Sequence, residues 1–462
     1  MPFESGDIMG RSGKYLATAL ALTGLAAQMT PALAQSQPDA YPAPAVSAPP
    51  AANKRNAGSM DTVKPLTPRI VRVGADPCDT LAADPLDHDR VMAIPPVEFS
   101  SLDGTKALEA CEAANRMKPH TLRFIYQYGR AKEKMQDYVG ALALYRRAAD
   151  RGYPAAYAAV AYAYDNGEGV AQDATEALRW YREAAGRNNA WAMFNVAYFY
   201  DSGRGVPEDD AAALEWYRRA ADGGNTRAMN DAGFLLETSN TVPRDIEAAR
   251  GWYLRAAEAG NVIGMANIAN FMLNGIGGPA DLPGALKWYE AAEKYGNADA
   301  TNGLGYMYYS GLGVEKDVAK GMALYRRAAD AGNATALTNI GFAYETGEGE
   351  VQNYAQALDY YRRAAEGGDA IAFNNIANFY DKGLGIDADV AQAAEWMEKA
   401  LRRGAGFSRD QMRDNSGNWS LGFRKALQRR LRDQLIYTGP IDGGFGPRTQ
   451  EAIDRIYGVR AD

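Results

Sequence analysis

The segment Trp180-Tyr181-Arg182-Glu183-Ala184-Ala185 returns 36 residues later (181 to 217) as Trp216-Tyr217-Arg218-Arg219-Ala220-Ala221. A fixed period in this range is typical of a solenoid, in which each helix pair stacks on the one before it. The stretch 154–405 therefore predicts seven stacked repeats. The aromatic pair recurs in the same register at Trp252-Tyr253, Trp288-Tyr289, Leu324-Tyr325, Tyr360-Tyr361 and Trp396-Met397.

Two rows of small residues keep this register and lie sixteen residues apart (161 to 177). Small side chains on the two helices of one unit let the helix backbones cross closely, while larger neighbours fill the space around the crossing. The pattern predicts an all-α fold: a right-handed α-solenoid of about eight helix-pair repeats, followed by a small C-terminal helical module. The first row is Ala161, Ala197, Gly233, Ala269, Gly305, Gly341 and Ala377, and the second is Ala177, Ala213, Ala249, Ala285, Gly321, Ala357 and Ala393.

Glycine pairs separate the two helices of most units, as in Asp165-Asn166-Gly167-Glu168-Gly169. Glycine permits the left-handed backbone that ends a helix, and an acidic or polar residue then opens the next helix. Because no Lys-Ser or Lys-Thr follows these loops, structural turns are favoured over phosphate binding. The loop 237–241 has no glycine, which predicts a local irregularity. The other pairs are Gly203/Gly205, Gly275/Gly277, Gly311/Gly313, Gly347/Gly349 and Gly383/Gly385.

These units resemble the Sel1-like repeat family, relatives of the tetratricopeptide repeats. A shorter unit at 121–153, with its small residues at Gly129 and Ala141, looks like a plain tetratricopeptide repeat. The resemblance implies an adaptor that binds a protein or peptide partner on its concave face, without a catalytic residue common to the family. It rests on the Gly-x-Gly loops and on Ala192, Asn195, Tyr200, Ala213, Trp216, Tyr217, Ala220 and Ala221.

One set of equivalent residues on the first helices lies two positions after one set of core residues and two positions before another. This groove row is therefore expected to turn away from the core. Its aromatic members would anchor an extended ligand in the groove or would pack neighbouring units together, and both interpretations stay open. Asn195, Asn267, Asn339 and Asn375 lie on the same helices and would bond backbone between units, which is favoured, or a bound peptide. The predicted groove row is Tyr162, Tyr198, Phe234, Asn270, Tyr306, Phe342 and Asn378.

Residues 1–34 have the composition of an export signal. Arg11 and Lys14 precede an apolar run, and Ala32-Leu33-Ala34 forms a small-x-small cleavage site, so a cleaved signal peptide and a periplasmic location are predicted. The apolar run is shorter than the roughly 20 residues that cross a bilayer. No integral membrane segment is therefore expected after cleavage.

The segment between this signal and the repeats divides in two. Residues 35–69 are rich in proline and alanine, which predicts a disordered linker. Residues 70–120 are predicted to form an N-terminal cap and contain both cysteines, Cys78 and Cys111. In an exported protein an isolated pair favours a disulfide, here clamping the segment onto the first face of the solenoid. A reactive thiol is the alternative.

The repeat pattern fades after residue 405. Residues 406–420 are interpreted as a polar connector and 421–462 as a compact module. The module resembles a small helical peptidoglycan-binding domain, through Leu-Gln-x-x-Leu from Leu427 and Tyr-x-Gly-x-Ile-Asp-Gly-x-Phe-Gly from Tyr437. Asp442 fits a turn-capping carboxylate, which is favoured, or a ligand contact. The resemblance implies peptidoglycan contacts at Tyr437, Gly439, Ile441, Asp442, Phe445 and Thr449.

Net charge and residue composition exclude several classes of function. A net charge of −7 argues against a nucleic-acid partner. Two cysteines, two histidines and no catalytic motif predict a protein that is not an enzyme, with no metal and no cofactor. The leading hypothesis is a periplasmic scaffold that binds proteins or peptides and reaches peptidoglycan through its C-terminal module. A soluble periplasmic regulator of a membrane sensor kinase is the alternative, and a hydrolase of cell-wall fragments or β-lactams is the weakest hypothesis.

Overall fold

The computed structural model describes residues 76–85, 87 and 97–458, where all regular structure is helical, as predicted. The predicted signal peptide and the linker 35–69 lie outside the described residues. The helices are α1 Pro77–Ala82, α2 Gly104–Met117, α3 Leu122–Lys134, α4 Tyr138–Ala149, α5 Pro154–Asn166, α6 Ala174–Ala185, α7 Ala190–Ser202, α8 Asp210–Asp222, α9 Thr226–Thr238, α10 Ile246–Glu258, α11 Val262–Asn274, α12 Leu282–Glu293, α13 Ala298–Ser310, α14 Val318–Asp330, α15 Ala334–Thr346, α16 Tyr354–Glu366, α17 Ala370–Lys382, α18 Val390–Arg402, α19 Gly406–Asp414, α20 Leu421–Asp433 and α21 Pro447–Ile456.

Helices α3 to α18 form eight consecutive pairs, numbered here as units 1 to 8, each with a first and a second helix. Two repeating rows of capping residues fix where these helices begin. Asp173 accepts a hydrogen bond from the backbone N–H of Glu176 at 3.0 Å at the start of α6, and Asn189 accepts one from Ala192 at 2.8 Å at the start of α7. A side-chain oxygen at this position satisfies a backbone donor that the helix itself leaves free. The predicted helix starts are therefore set locally, unit by unit.

The two helices of a unit cross where the small rows meet. In unit 7 a Cβ added to Gly341 would lie 3.2 Å from the carbonyl oxygen of Ala357 and 2.8 Å from the ring of Tyr361. A larger residue on the first helix would therefore push the second helix away. The predicted close crossing is present, and Tyr361 fills the space beside it, with no exposed surface.

The Gly-x-Gly loops are turns, as predicted, and they also join neighbouring units. Gly203 ends α7 in the left-handed region, at φ +65°. Gly205 is also left-handed, and a Cβ there would lie 2.8 Å from the backbone of Ala174 at the start of α6 in the preceding unit. The second glycine is thus needed for contact between units as well as for the turn.

The loop without glycine is held by hydroxyl groups instead. Helix α9 ends at Ser239, which has extended backbone. The hydroxyls of Ser239 and Thr241 donate to Oδ2 of Asp210, at 2.6 and 2.9 Å. Asp210 is the first residue of α8 in the preceding unit. The equivalent residue of α6 is Ala174, the residue that Gly205 contacts. The predicted irregularity is thus a change of contact chemistry between units 3 and 4.

The C-terminal end departs from the prediction of a polar connector over 406–420. Helix α19 begins 36 residues after α17 (370 to 406), so it continues the register of the first helices. Ser408 and Met412 are fully buried, and the Ser408 hydroxyl lies 3.2 Å from Oδ1 of Asn374 on α17. The sequence does not show this because only Met412 and Trp419 of the segment are large apolar residues that become buried, among many polar ones.

Helices α20 and α21 close the solenoid. Phe423 and Leu427 of α20 and Ile453 of α21 share one buried cluster with Met397 and Leu401 of α18. Burying large apolar side chains across this boundary stabilises the module and the last repeat together, by roughly 1.5–3 kcal/mol for each side chain. The module therefore acts as the end cap of the solenoid.

At the other end, a disulfide joins Cys78 of α1 to Cys111 of α2. Arg123 of α3 donates two hydrogen bonds to the carboxylate of Asp79, at 2.9 and 3.2 Å. Gln127 donates to the same carboxylate at 3.1 Å. These contacts fasten the segment around α1 to the first face of unit 1, where the sequence places the cap.

Candidate functional site

The candidate site is a stripe that runs along one face of the first helices, from unit to unit. We define the first-helix stripe by four positions in each unit, which in unit 3 are Trp191, Asn195, Tyr198 and Ser202. These residues follow a spacing of four, three and four, so they lie on one face of α7. The equivalent positions of units 2 to 8 include the whole predicted groove row.

The groove row is not equally accessible along the solenoid. Tyr162, Tyr198, Phe342 and Asn378 are half-buried. Three central members are buried, contrary to the expectation that the row turns away from the core. The buried members are Phe234, 8% exposed, Asn270, 4% exposed, and Tyr306, 6% exposed.

Two of the four predicted asparagines, Asn267 and Asn339, connect units through side chains rather than through the backbone bonds expected from the sequence. Asn267 donates to Oδ1 of Asn230 in the preceding unit at 2.8 Å. Asn339 donates in the same way to Asn302 at 2.9 Å. Asn195 instead donates to the carbonyl oxygen of Trp191 within its own helix. A side-chain amide has both a donor and an acceptor, so asparagines that the 36-residue period brings next to each other can form a hydrogen bond.

Two carboxylates add negative charge to the stripe. Asp231 occupies the position of Asn195 in unit 4, where burial raises its pKa to about 6. Asn230 donates to its Oδ1 at 3.0 Å. Burial also raises the pKa of Asp299, which accepts a hydrogen bond from Asn333 at 2.7 Å. The stripe can therefore offer amide donors, amide acceptors and carboxylates to an extended chain.

The tryptophans of the repeat motif lie half-buried on the second helices, beneath cationic side chains. The guanidinium of Arg219 lies 4.0 Å from the ring centroid of Trp216, and that of Arg255 lies 4.2 Å from Trp252. Such contacts are attractive because the face of the indole ring is electron-rich. The aromatic residue and the arginine three positions after it thus form a structural pair in units 3, 4 and 7.

A second repeated pair, which is not apparent from the sequence alone, joins a buried tyrosine of the second helix to a first-helix carboxylate of the same unit in five of the eight units. Tyr361 donates to Glu345 at 2.6 Å, and Tyr253 donates to Glu237 at 2.7 Å. Burial raises the pKa of both glutamates. The signal was an acidic residue sixteen positions before the tyrosine. It fails in unit 5, where Leu273 leaves the hydroxyl of Tyr289 without a partner among the described residues.

Several residues assigned to peptidoglycan contact by resemblance converge on one buried side chain of the cap. The side-chain amide of Gln428, which is fully buried, lies 3.3 Å from the hydroxyls of Tyr437 and Thr449 and 3.2 Å from Oδ1 of Asp442. The Asp442 carboxylate also accepts from the backbone N–H of Gly444 at 2.7 Å, the arrangement of a turn cap. Gly439 is buried, whereas Ile441 and Phe445 are half-buried.

The arrangement offers little for bond-breaking chemistry. Among the described residues, no three His, Cys, Asp or Glu side chains come together as metal ligands would. Within the same ranges, no helix has both the length and the apolar character needed to cross a bilayer. His120 is exposed, and His88 lies outside the described residues.

The chain is similar to solved structures, and its likeness to the first of those below extends to the arrangement of the repeats. The structure of c5321, a protective antigen of uropathogenic Escherichia coli with an SLR fold, is 27% identical over 75% of this chain and 78% of that chain, with a TM-score of 0.52. A Sel1 repeat protein from Oxalobacter formigenes is 28% identical over 65% of this chain and 90% of that chain, with a TM-score of 0.47. A comparison with curated proteins finds no significant match.

The family model of the Sel1 repeat matches all eight units. Its first match replaces our assignment of 121–153 as a plain tetratricopeptide repeat. The matched residues are 124–153, 154–189, 192–225, 226–261, 262–294, 298–333, 334–369 and 371–404. A solenoid of such repeats is a scaffold for protein–protein interaction, with an extended surface built from neighbouring units. Since the matches run almost without interruption from 124 to 404, the chain belongs to the Sel1 repeat family.

Proposed function

We propose that this protein is a periplasmic scaffold that holds an extended segment of a protein partner along its first-helix stripe. The half-buried polar and aromatic positions of the stripe carry the proposal, such as Asn195 and Tyr198 in unit 3 and Asn339 and Phe342 in unit 7. An extended peptide presents main-chain donors and acceptors along its length, and side-chain amides can match either kind. The solenoid sets such groups at regular intervals.

Accessible aromatic residues in units 3 and 7 supply anchors for the bound segment. Tyr198 in unit 3 and Phe342 in unit 7 are half-buried. Aromatic side chains contribute strongly at interfaces because they bury a large area at a low cost in conformational entropy. Tyr306 is unsuited to this role without rearrangement, since it is only 6% exposed.

Photocrosslinking in the native envelope tests the proposal. A photoreactive residue at Tyr198 or Phe342 is expected to capture a protein, whereas the same residue at the exposed outer positions Arg218 or Val351 is not. Capture at the outer positions alone would contradict the stripe assignment. Capture of a membrane kinase through its sensor domain would favour the regulatory alternative over a general scaffold.

The periplasmic location in this proposal rests on the composition of residues 1–34. A fusion of those residues to alkaline phosphatase is expected to be active, because that enzyme needs an oxidising compartment to form its disulfides. Replacing the apolar run with polar residues is the matched control and is expected to abolish the activity. An inactive fusion with the natural segment would reject export.

Attachment to peptidoglycan is the second part of the proposal. Because Tyr437 and Thr449 face Gln428, the half-buried Ile441 and Phe445 are the better candidates for a ligand contact. Replacing Ile441 with serine is expected to reduce retention of the protein on purified sacculi. Ile263→Ser, which makes the same change at an exposed position on α11, is the control. Equal retention of both variants would remove Ile441 from the proposal.

The hydrolase hypothesis predicts a different result. Turnover of muropeptides or of a chromogenic β-lactam by the purified full chain would support it. The scaffold proposal expects no turnover, because no positioned nucleophile and base are present in the first-helix stripe as described. Residual activity that persists after replacement of Asp231 and Asp299 would point to a contaminating enzyme.

A further inference from the structure

The cap differs in charge from the solenoid that it closes. Residues 421–458 contain seven basic and four acidic residues, a net charge of +3, whereas the whole chain carries −7. Two of the basic residues serve the fold: Arg430 pairs with Glu398 at 2.7 Å, and Arg424 donates to the carbonyl oxygen of Gly443 at 2.9 Å. Arg429 and Arg432 are exposed and form no ion pair with any residue in the described ranges.

Three of the five other basic residues lie on one solvent-facing line of α20, and the remaining two, Arg448 and Arg455, lie on α21. We define the α20 stripe as Leu421, Lys425, Arg429, Arg432 and Leu435. The first four are spaced by four, four and three, and Leu435 follows the C-terminal end of the helix. Leu421 is 51% exposed and Leu435 is 88% exposed. Three cations thus lie between two exposed leucines on a convex surface.

Leu435 is unfavourable for folding in two respects. Its backbone is left-handed, at φ +60°, a region that glycine and asparagine occupy more easily than leucine. Its side chain is also almost fully in water. In the described ranges the other two left-handed residues that are not glycine are polar, Gln136 and Asn188. The left-handed backbone itself closes α20, since the N–H of Leu435 donates to the carbonyl oxygen of Arg432 at 2.8 Å and that of Ile436 donates to Leu431 at 2.9 Å. The fold thus needs this conformation but not an exposed leucine, which points to a role of the side chain outside the fold.

We propose that the α20 stripe docks the protein onto an anionic phospholipid surface. Cationic side chains bind the headgroups, and exposed apolar side chains beside them enter the boundary with the acyl chains. A glycan polymer is a poorer match, because saccharides are held by hydrogen-bonding groups and ring faces in a groove. The α20 stripe presents aliphatic tips on a convex helix.

The position of the stripe suits this role. Helix α20 packs against α18 through Phe423 and Leu427, so its opposite face is free to meet a flat surface. One terminal methyl group of Leu421 lies against the turn at Gly443, where an added Cβ would lie 2.5 Å from the leucine Cδ1, while about half of the residue stays exposed. The docking face is therefore built on a rigid helix and turn, and it leaves the first-helix stripe available for a partner.

Vesicle sedimentation with the full chain tests the proposal. Binding to vesicles of phosphatidylglycerol and phosphatidylcholine is expected at low salt, and binding to phosphatidylcholine alone is not. The variant Lys425→Gln/Arg429→Gln/Arg432→Gln should bind the anionic vesicles more weakly by on the order of a hundredfold. Arg151→Gln/Arg218→Gln/Lys294→Gln makes the same change in charge at exposed solenoid positions and should bind normally.

Leu435→Gly separates docking from folding. Glycine relieves the left-handed strain, so thermal unfolding should occur at the same or a higher temperature while binding to anionic vesicles weakens. Unchanged vesicle binding in this variant would overturn the apolar part of the proposal. If the triple glutamine variant instead lost retention on purified sacculi and kept its vesicle binding, the occupant would be a wall polymer and the proposal would be wrong.

Discussion

Asp381 holds Ser420, which lies 39 residues further along the chain. Its Oδ2 accepts a hydrogen bond from the Ser420 backbone N–H at 2.9 Å, and its Oδ1 accepts one from the Ser420 hydroxyl. At the same position of unit 7, Glu345 accepts from the buried Tyr361. In unit 8 that tyrosine is replaced by Met397, so the carboxylate is free to fasten α20. One repeat position thus serves internal packing in one unit and attachment of the cap in another.

Asp381→Asn is expected to lower the free energy of unfolding by roughly 1–3 kcal/mol. The amide keeps one acceptor and places an N–H₂ group against a backbone donor, so one of the two hydrogen bonds to Ser420 is lost. Urea unfolding of the full chain measures the change. Asp387→Asn, at an exposed loop position, is the control and should unfold as the natural protein does. An equal effect of both substitutions would contradict the attachment.

Tyr361→Phe and Tyr289→Phe make the same change at equivalent positions with different surroundings. Removing the Tyr361 hydroxyl leaves the largely buried Glu345 without its donor, which should cost about 1–3 kcal/mol. The hydroxyl of Tyr289 has no partner within the described ranges, so its removal should be neutral or stabilising. Thermal unfolding of the two variants side by side is the measurement, and reversed effects would refute the pairing.

The sequence predicts the repeats well because their determinants are local. A capping asparagine, a glycine in a turn and a small residue at a crossing each act within one unit, as Asn189, Gly203 and Gly341 do. Because the same residues recur every 36 positions, a correct prediction for one unit holds for the others. Helix α19 was missed because its register is carried by Ser408 and Met412 alone, too few residues to form an apolar pattern.

The candidate site was harder to predict because accessibility depends on neighbouring units. Tyr198 and Tyr306 occupy the same position of their helices, yet the first is half-buried and the second is buried. The pattern of a single helix assigns both to one face and cannot show how closely the next unit approaches. The turn of the cap is a similar case. The motif predicts the turn, whereas only the structure shows that the Gln428 side chain accepts a hydrogen bond from the backbone N–H of Gly443 inside it.

The contact between units 3 and 4 predicts a specific loss. Asp210→Leu replaces the acceptor of Ser239 and Thr241 with an apolar side chain and leaves two hydroxyls without their partner. A decrease of roughly 1–3 kcal/mol in unfolding free energy is expected. Urea unfolding measures it, with Asp209→Ala as a comparison that removes only the cap of α8.

Glu168 predicts a pH dependence. Burial, and next the nearby carboxylate of Glu133, raises its pKa from 4.5 to about 7. The folded protein therefore holds this proton more tightly than the unfolded chain, so the contribution to stability is present below about pH 4.5 and is lost as the pH rises towards 7. Glu168→Gln cannot ionise. Its unfolding temperature should exceed that of the natural protein at pH 8, and the difference should shrink at pH 5. Glu315→Gln, in an exposed loop, should show no such trend, and a constant difference for Glu168→Gln at both pH values would show that the carboxyl does not titrate in this range.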